Sequence, residues 1–392
     1  MKPLQHLTIL DLSRVLACPF ASMILAELGA TVIKVEQPGT GDETRGFEPR
    51  LAQDSAYYFA CNRSKASITV NLRQPAGQGI IRELAQKVDV LVENFPAGTL
   101  GRYGLDYVML AALNPKLVYV SCTGFGQSGP YAHKTGYDTV FQAMGGLMSL
   151  TGEKGGGPVK PGLPVADLTS GLWVAIGILA MLAGRERAGH GAHLDFSMLD
   201  AQVSLLTLAA ARYFALGEVP PRLGTEHPGR VPSATFRCKD GKFAHITASD
   251  QHWEPLCKAL RLEDWSLPFA SNAFRVEKRS EVMQKLTDKI SRIDRAKLLQ
   301  MLDEVDVPVG PVNDVAEIIS DPHVRARGLV GSFDYPGVGE FKALALPYKF
   351  LGWDNPGIGA PPTLGSDTDR VLGEMLGYSL EKIQELKTKK TI

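Results

Sequence analysis

Cysteine is scarce and scattered in this chain. The five residues, Cys18, Cys61, Cys122, Cys238 and Cys257, are odd in number and form no C-x-x-C pair. That argues against a disulfide framework and against a zinc site, and no other metal site is read from the sequence. Charge of one sign is also missing: Lys plus Arg total 42 and Asp plus Glu total 42. Nothing therefore advertises a nucleic-acid partner or an anionic membrane, and any bound anion must be held by a few local cations and backbone amides. No repeat or low-complexity tract is present. The opening "MKPLQHLTILDLSR" meets charge too early for the apolar core of a signal peptide. The longest apolar run, "LWVAIGILAMLAG" at 172–184, is too short to cross a bilayer and reads as a helix buried on all sides. A cytoplasmic protein with no membrane partner is expected.

What is there is an ordinary globular composition, 44% apolar and 21% charged, in 392 residues. That length predicts about two domains. Residues 1–130 alternate strand and helix patterns. Strands are expected at "LTILDLS" (7–13), "TVIKVEQP", "ASITVNLR", "DVLVENF" and "KLVYVSC". Helices are expected at "PFASMILAELGA", "PAGQGIIRELAQKV" and near "DYVMLAALNP". The class is α/β, with a mostly parallel sheet covered by helices on both faces. After residue 160 the pattern turns helical, and the Pro/Gly-rich stretch 217–233 marks a boundary or an exposed loop. A hairpin around Asp240-Gly241 and further helices suggest a smaller α+β domain. Near the end, Asp367 or Thr368 is placed to cap a last helix. The expected domains are 1–216, a small domain at 225–320, and a return at 330–392.

Gly124-Phe125-Gly126-Gln127-Ser128-Gly129 spells G-x-G-x-x-G after an apolar run. A dinucleotide fingerprint belongs in the first strand-to-helix turn, and here that turn, "DLSRVLACPFAS", has no glycine. A nicotinamide oxidoreductase is thus a minor alternative. The preferred reading is a ligand-binding loop at the carboxyl ends of parallel strands.

The blocks "LDLSRVLACPFASMILAELGATVIKVEQPGTGDETRGF", "VENFPAGTLGRYGLDY", "SCTGFGQSGPYAHKTGYD" and "PVADLTSGLWVAIGILAML" resemble, in order, those of the class III (CaiB/BaiF) CoA-transferase family. The resemblance runs from residue 7 to about 380. It implies a Rossmann-like large domain built from both chain ends, a small inserted domain, and an interlocked homodimer. It also implies that coenzyme A or acyl-CoA is a substrate and that no cofactor is tightly bound. The partners are then an acyl-CoA and a carboxylic acid. Several blocks lie nearest to members acting on dicarboxylates, which implies CoA moving from succinyl-CoA to an acid such as glutarate.

Asp167, just ahead of the apolar helix, reads on its own as an N-cap. The resemblance makes it the nucleophile, its ionised form favoured by the helix macrodipole. The family positions further imply CoA contacts at Leu16, Ala17, Arg73, Asn94, Phe95, Arg102, Tyr137 and Asp138. Gln37 stands where many members carry Arg, so a phosphate contact is expected to be lost, or replaced by Arg73 or Lys134. Gly126 is a candidate for bringing backbone amides to a developing oxyanion. A dicarboxylate needs a cation for its remote end. Arg14 and Arg45 are the candidates, each equally readable as a structural ion pair, and His227 is a further substrate-side candidate. The racemases of the same family carry a Gly-His-Asp triplet. Here it is Gly136-Tyr137-Asp138, with His133 off register, which favours transferase over racemase. A binding-only relative without chemistry would lack Asp167.

Overall fold

The computed structural model describes residues 1–392, which divide into two compact units. The first comprises Met1–Leu147, Pro161–Ala211 and His323–Ile392; the second comprises Met148–Lys160 and Arg212–Pro322.

In the first unit, six parallel strands form one sheet. Following the chain, these are β1 (Thr8–Asp11), β2 (Thr31–Glu36), β5 (Ala66–Thr69), β6 (Val90–Glu93), β7 (Val118–Thr123) and β8 (Ala192–Ser197). The two-residue pair β3 (Arg50–Leu51) and β4 (Asp54–Ser55) forms its own small ladder. Sheet order is β5-β2-β1-β6-β7-β8. Four of the central strands are apolar almost without interruption because both faces are covered. Ile9, Val32, Val90 and Val118 point to one layer, and Leu10, Ile33, Leu91 and Tyr119 to the other. Helices α1 (Ala17–Glu27), α2 (Ala56–Asn62), α3 (Pro75–Ala85), α4 (Tyr107–Leu113), α5 (Asp138–Met144), α6 (Leu147–Leu150, of which only Leu147 belongs to this unit) and α7 (Val165–Ala188) follow in chain order. Packed on the first layer are α1 and α7; α3 and α4 are packed on the second. The last two helices, Thr368–Leu376 and Leu380–Thr388, add Val371, Leu372, Ile383 and Leu386 to that second layer, so the chain's end completes this unit.

β8 is a strand where the sequence reading expected only helix. Its Leu194 and Phe196 alternate with exposed His193 and Asp195, the pattern of an edge strand with one wet face. It pairs with β7 from Val118↔Ala192 to Thr123↔Ser197. After it come α8 (Met198–Ser204) and α9 (Thr207–Leu216).

Helix α7 corrects a second expectation. It spans 24 residues with a mean hydropathy of 1.8 in its most apolar window, long and apolar enough to cross a membrane by length and composition. Here one side is packed, through Ala166, Gly171, Val174, Ala175, Ile178 and Leu182. A Cβ at Gly171 would sit 2.6 Å from the Ala17 carbonyl oxygen, so glycine permits the close crossing of α7 over α1. The opposite side is not buried: Trp173 is 44% and Ile176 54% exposed.

The second unit holds the antiparallel sheet β11-β10-β9, made of β9 (Ser233–Arg237), β10 (Phe243–Thr247) and β11 (Val309–Pro311). Its core surrounds Trp253, Leu256 and Leu286. β9 and β10 form the expected hairpin, with Gly241 at φ 78°. Residues 148–160 belong to this unit, although they were expected in the large domain. Arg222 explains it by donating to the carbonyls of Ser149 and Gly156, while Gly224 N–H bonds the Gly152 carbonyl. A last hairpin, β12 (Val330–Tyr335) with β13 (Gly339–Leu344), packs Phe333 and Tyr335 on Phe59 in the first unit.

Candidate active site

The turn after β1 is anchored from beneath by buried charge. Asp11 accepts from Ser13 N–H at 2.9 Å, Ser22 Oγ at 2.6 Å and Lys65 Nζ at 3.0 Å. Burial alone would raise its pKa, but Lys65 and Lys34 outweigh burial and hold the carboxyl well below its usual range. Lys34 also pairs with Asp42 at 2.8 Å and donates to the Ser13 carbonyl. Asp42 in turn accepts the Val15 N–H. Val15 sits at φ 69°, a left-handed conformation that a β-branched residue adopts only under constraint. Asn94 ties the neighbouring Arg14 at both ends, accepting its N–H and donating to its carbonyl, at 2.9 and 2.8 Å. The β1–α1 turn is therefore fixed by side chains from two other loops.

Asp138 begins α5, and its carboxylate reaches the start of α7. Oδ1 accepts Ala166 N–H at 2.8 Å and Asp167 N–H at 3.1 Å, and Oδ2 accepts from Gln142 Nε2 at 2.5 Å. The cap of α7 is thus supplied by Asp138, not by Asp167 as the bare sequence suggested. The Asp167 side chain is left free, half-buried, and faces a cavity. Its pKa is pushed up to about 7, by burial first and by the Asp138 charge second. The expectation that the macrodipole would favour the ionised form is overturned: desolvation and a like charge exceed a helix-end effect of about 0.3–1 kcal/mol.

The cavity holding Asp167 measures about 390 Å³, and Leu16, Ala17, Asn94, Phe95, Tyr137 and Asp138 all line it. Tyr137 is 81% exposed at its rim. Lys134 also lines it, its ammonium 3.8 Å from the Tyr131 ring centroid. A second cavity of about 580 Å³ is lined by Gln37, Arg73 and Tyr103. The two share Arg14, Glu43, Phe95 and Pro96 in their walls. Arg14 stands at this junction, paired with Glu43 at 3.0 Å and stacked on Phe95.

Other candidates fall elsewhere. Arg45 is buried, with its guanidinium on Glu36 and Asp54 and its face over Tyr58. It is a structural ion pair, and it has no free charge for a substrate. Gly126 (φ 83°) makes a tight turn whose next amide, Gln127 N–H, is taken by Asp195; Gly124, not Gly126, lines the cavity. Arg102 is exposed, donates to Thr99, and lines neither cavity. His227 lies in the second unit, its Nδ1 accepting Gly229 N–H.

Two residues that sequence reading passed over are near the free carboxylate. Tyr57 on α2 has its phenol pushed up to about 12, by burial and then by the Asp167 charge, so it stays an O–H donor. Thr123 ends β7 in the cavity wall, and its buried hydroxyl has no hydrogen-bond partner within the chain. Thr123 was findable as the last strand residue before the glycine loop. Tyr57 in "SAYYFA" carries no local signal.

Numbered within the sheet, β5-β2-β1-β6-β7-β8 is the 3-2-1-4-5-6 order of a doubly wound α/β fold, and its site adds a free carboxylate at a helix start beside two adjoining cavities. Residues 4–368 match the sequence profile of CoA-transferase family III, and the chain belongs to that family and is a CoA-transferase. It is 40% identical over 390 residues to succinate–glutarate CoA-transferase of Agrobacterium fabrum, covering 95% of this chain and 96% of the relative. With succinyl-CoA:glutarate CoA-transferase of Mus musculus it shares 38% over 389 residues, 98% of this chain and 89% of the other. The crystal structure of a CaiB/BaiF family protein from Brucella suis superimposes with a TM-score of 0.86 at 38% identity, covering 95% and 99% of the two chains.

Proposed function

We propose that this enzyme moves CoA from succinyl-CoA to a second dicarboxylic acid, glutarate being the first candidate, with Asp167 as covalent nucleophile. The observation that carries the reading is the division of labour at α7: Asp138 caps the helix, leaving the Asp167 carboxylate free in a cavity. A carboxylate so placed attacks the thioester carbonyl, forming a mixed anhydride and releasing the CoA thiolate. The thiolate then attacks the aspartyl carbonyl, giving an aspartyl–CoA thioester and free succinate. The acceptor carboxylate attacks that thioester to form a new anhydride, and the thiolate attacks the acceptor's acyl carbon to release product and Asp167. Each attack on a carbonyl builds an oxyanion, for which the unpartnered Thr123 hydroxyl in the cavity wall is the first candidate donor and the Tyr57 phenol, which feels the Asp167 charge, the second. Arg73 in the wall of the 580 Å³ cavity suits the phosphate end of CoA, and Arg14 suits a remote carboxylate. The relatives named above, which by their names exchange CoA between succinate and glutarate, support this substrate class.

The unit is further proposed to work as a homodimer. The apolar side of α7 (Trp173, Ile176) and Leu208 on α9, 83% exposed, are apolar surfaces that a second copy would cover. Succinyl-CoA offered with glutarate, itaconate, malate and monocarboxylates, with the CoA esters resolved by mass, tests the substrate. Glutaryl-CoA should dominate, and Asp167→Ala should abolish every product. Undiminished transfer by that variant would overturn the mechanism.

A further inference from the structure

Two aspartates, Asp138 and Asp167, line the cavity of the proposed acyl transfer, and their carboxylates are held differently. Both oxygens of Asp138 are engaged, Oδ1 by the amides of Ala166 and Asp167, Oδ2 by the side chain of Gln142. The acyl transfer assigns no task to Gln142. It lies on α5 one helical turn after Asp138, the spacing at which side chains meet on a helix, and it is fully buried. Its Nε2 donates to Asp138 Oδ2 at 2.5 Å and to the Leu163 carbonyl, just ahead of α7, at 3.4 Å. Charge sets the amide's orientation, because its carbonyl oxygen turned toward Oδ2 would put acceptor against acceptor. Oε1 has no partner within the chain. An apolar side chain of the same shape would fill this place without burying that oxygen, so packing does not call for glutamine here. The two donors do.

Without those donors, Asp138 keeps its bonds to α7 through Oδ1, but its second oxygen is free to turn. The charge beside Asp167 then has no fixed direction, and the start of α7 loses its tie at Leu163. A second fully buried glutamine gives the contrast. Gln202 on α8 donates to Thr169 Oγ1 at 3.0 Å, also near the start of α7, and its Oε1 likewise has no partner within the chain. Gln202 braces the helix through Thr169; Gln142 braces it through Asp138.

We propose that Gln142 is a positioning residue: by holding Asp138 Oδ2 and the Leu163 carbonyl, it locks the Asp138 carboxylate onto the leading amides of α7, so that Asp167 alone presents a carboxylate to the acyl-CoA. This role rests on Asp167 as the nucleophile, as proposed above.

Methionine matches glutamine in length and lacks its donors, which makes Gln142→Met and Gln202→Met a matched pair. Transfer from succinyl-CoA to glutarate is followed in steady state for the full-length variants, with melting read by circular dichroism. Both should melt within a few degrees of wild type; Gln142→Leu replaces Gln142→Met should the latter not fold. In Gln142→Met kcat should fall about tenfold, with KM for succinyl-CoA within about twofold, because the lost geometry acts on the attacking group and not on binding. Gln202→Met should keep both within about twofold. On top of Asp138→Ala, which leaves the amide no carboxylate to hold, Gln142→Met should cost less than about twofold more. Three results would each overturn the role: a wild-type kcat in Gln142→Met, an equal loss in Gln202→Met, or the full loss repeated in the Asp138→Ala background. Asp167→Ala separates the two levels. If it is inactive while Gln142→Met runs at full rate, only the positioning role falls; if it transfers undiminished, the nucleophile falls and the positioning role with it.

Discussion

Asp138 and Asp167 face each other across the start of α7, with one carboxylate bonded to the backbone N–H of the other's residue at 3.1 Å. Asp138 thereby does two things at once: it caps the helix, and its charge helps keep the Asp167 pKa near 7. Asp138→Asn keeps an oxygen for the cap but removes the charge. Burial, the larger cause, remains, so the acid limb of kcat/KM should move down by up to about one pH unit, without reaching the range of a free carboxylate. A pH–rate profile of the variant checks this, and an unmoved limb refutes the electrostatic role. Asp138→Ala should cost stability as well, by about 1 kcal/mol, because the cap is lost too.

A raised carboxylate pKa also carries a stability cost with a definite sign. Folded Asp167 binds a proton up to about pH 7, whereas the unfolded side chain releases it near its ordinary value of 3.8. Between those values the native state holds more protons, so this group's contribution to stability falls as pH rises and is fully unfavourable above 7. Asp167→Asn should therefore be inactive yet more stable than wild type at pH 8, on the order of 1–3 kcal/mol, with the gain vanishing toward pH 4. Urea denaturation at the two pH values measures it.

The parallel sheet was readable because its central strands are apolar on both faces, and helix α3 between two of the strands carries clean periodicity. Edge strand β8 was lost because its short alternation, Leu194 and Phe196 against His193 and Asp195, sits between two strong helical patterns. Family blocks pointed to Asp167, yet its electrostatics were misread. Nothing local in "GYD" and "ADL" says that the Asp138 carboxylate closes on the amide of Asp167. Arg45 failed for the same reason: Glu36, Asp54 and Tyr58 come from three separate segments, and only the folded chain shows that they consume its charge.

Val15 tests whether the strained turn serves the site. A β-branched residue at φ 69° costs about 1–2 kcal/mol, while glycine there would relieve the strain but lose more chain entropy on folding, by about 0.5–1 kcal/mol. Val15→Gly should thus leave the melting temperature within a few degrees of wild type. Val15 also lines the Asp167 cavity, so a loosened turn should lower kcat about tenfold, with KM for the acyl-CoA changed less. Equal kcat in the two proteins would mean that the strain is incidental.

Arg14 carries the substrate prediction, because it is the candidate cation that remains once Arg45 is assigned to the buried network. Its partner Glu43 is exposed, and an exposed pair is worth at most about 1 kcal/mol, so the guanidinium can exchange Glu43 for an incoming carboxylate. A charge-assisted bidentate contact contributes roughly 1.5–3 kcal/mol, or about 10- to 150-fold in kcat/KM. Arg14→Gln should lose that factor with glutarate and almost none with a monocarboxylate of matched length. Arg14→Lys should recover only part of it, since a point charge replaces a planar fork. A uniform loss on both acids would instead assign Arg14 to holding the CoA thioester at the junction of the two cavities, and the remote-carboxylate role would then have to pass to Lys134, the other cation in the cavity that holds Asp167.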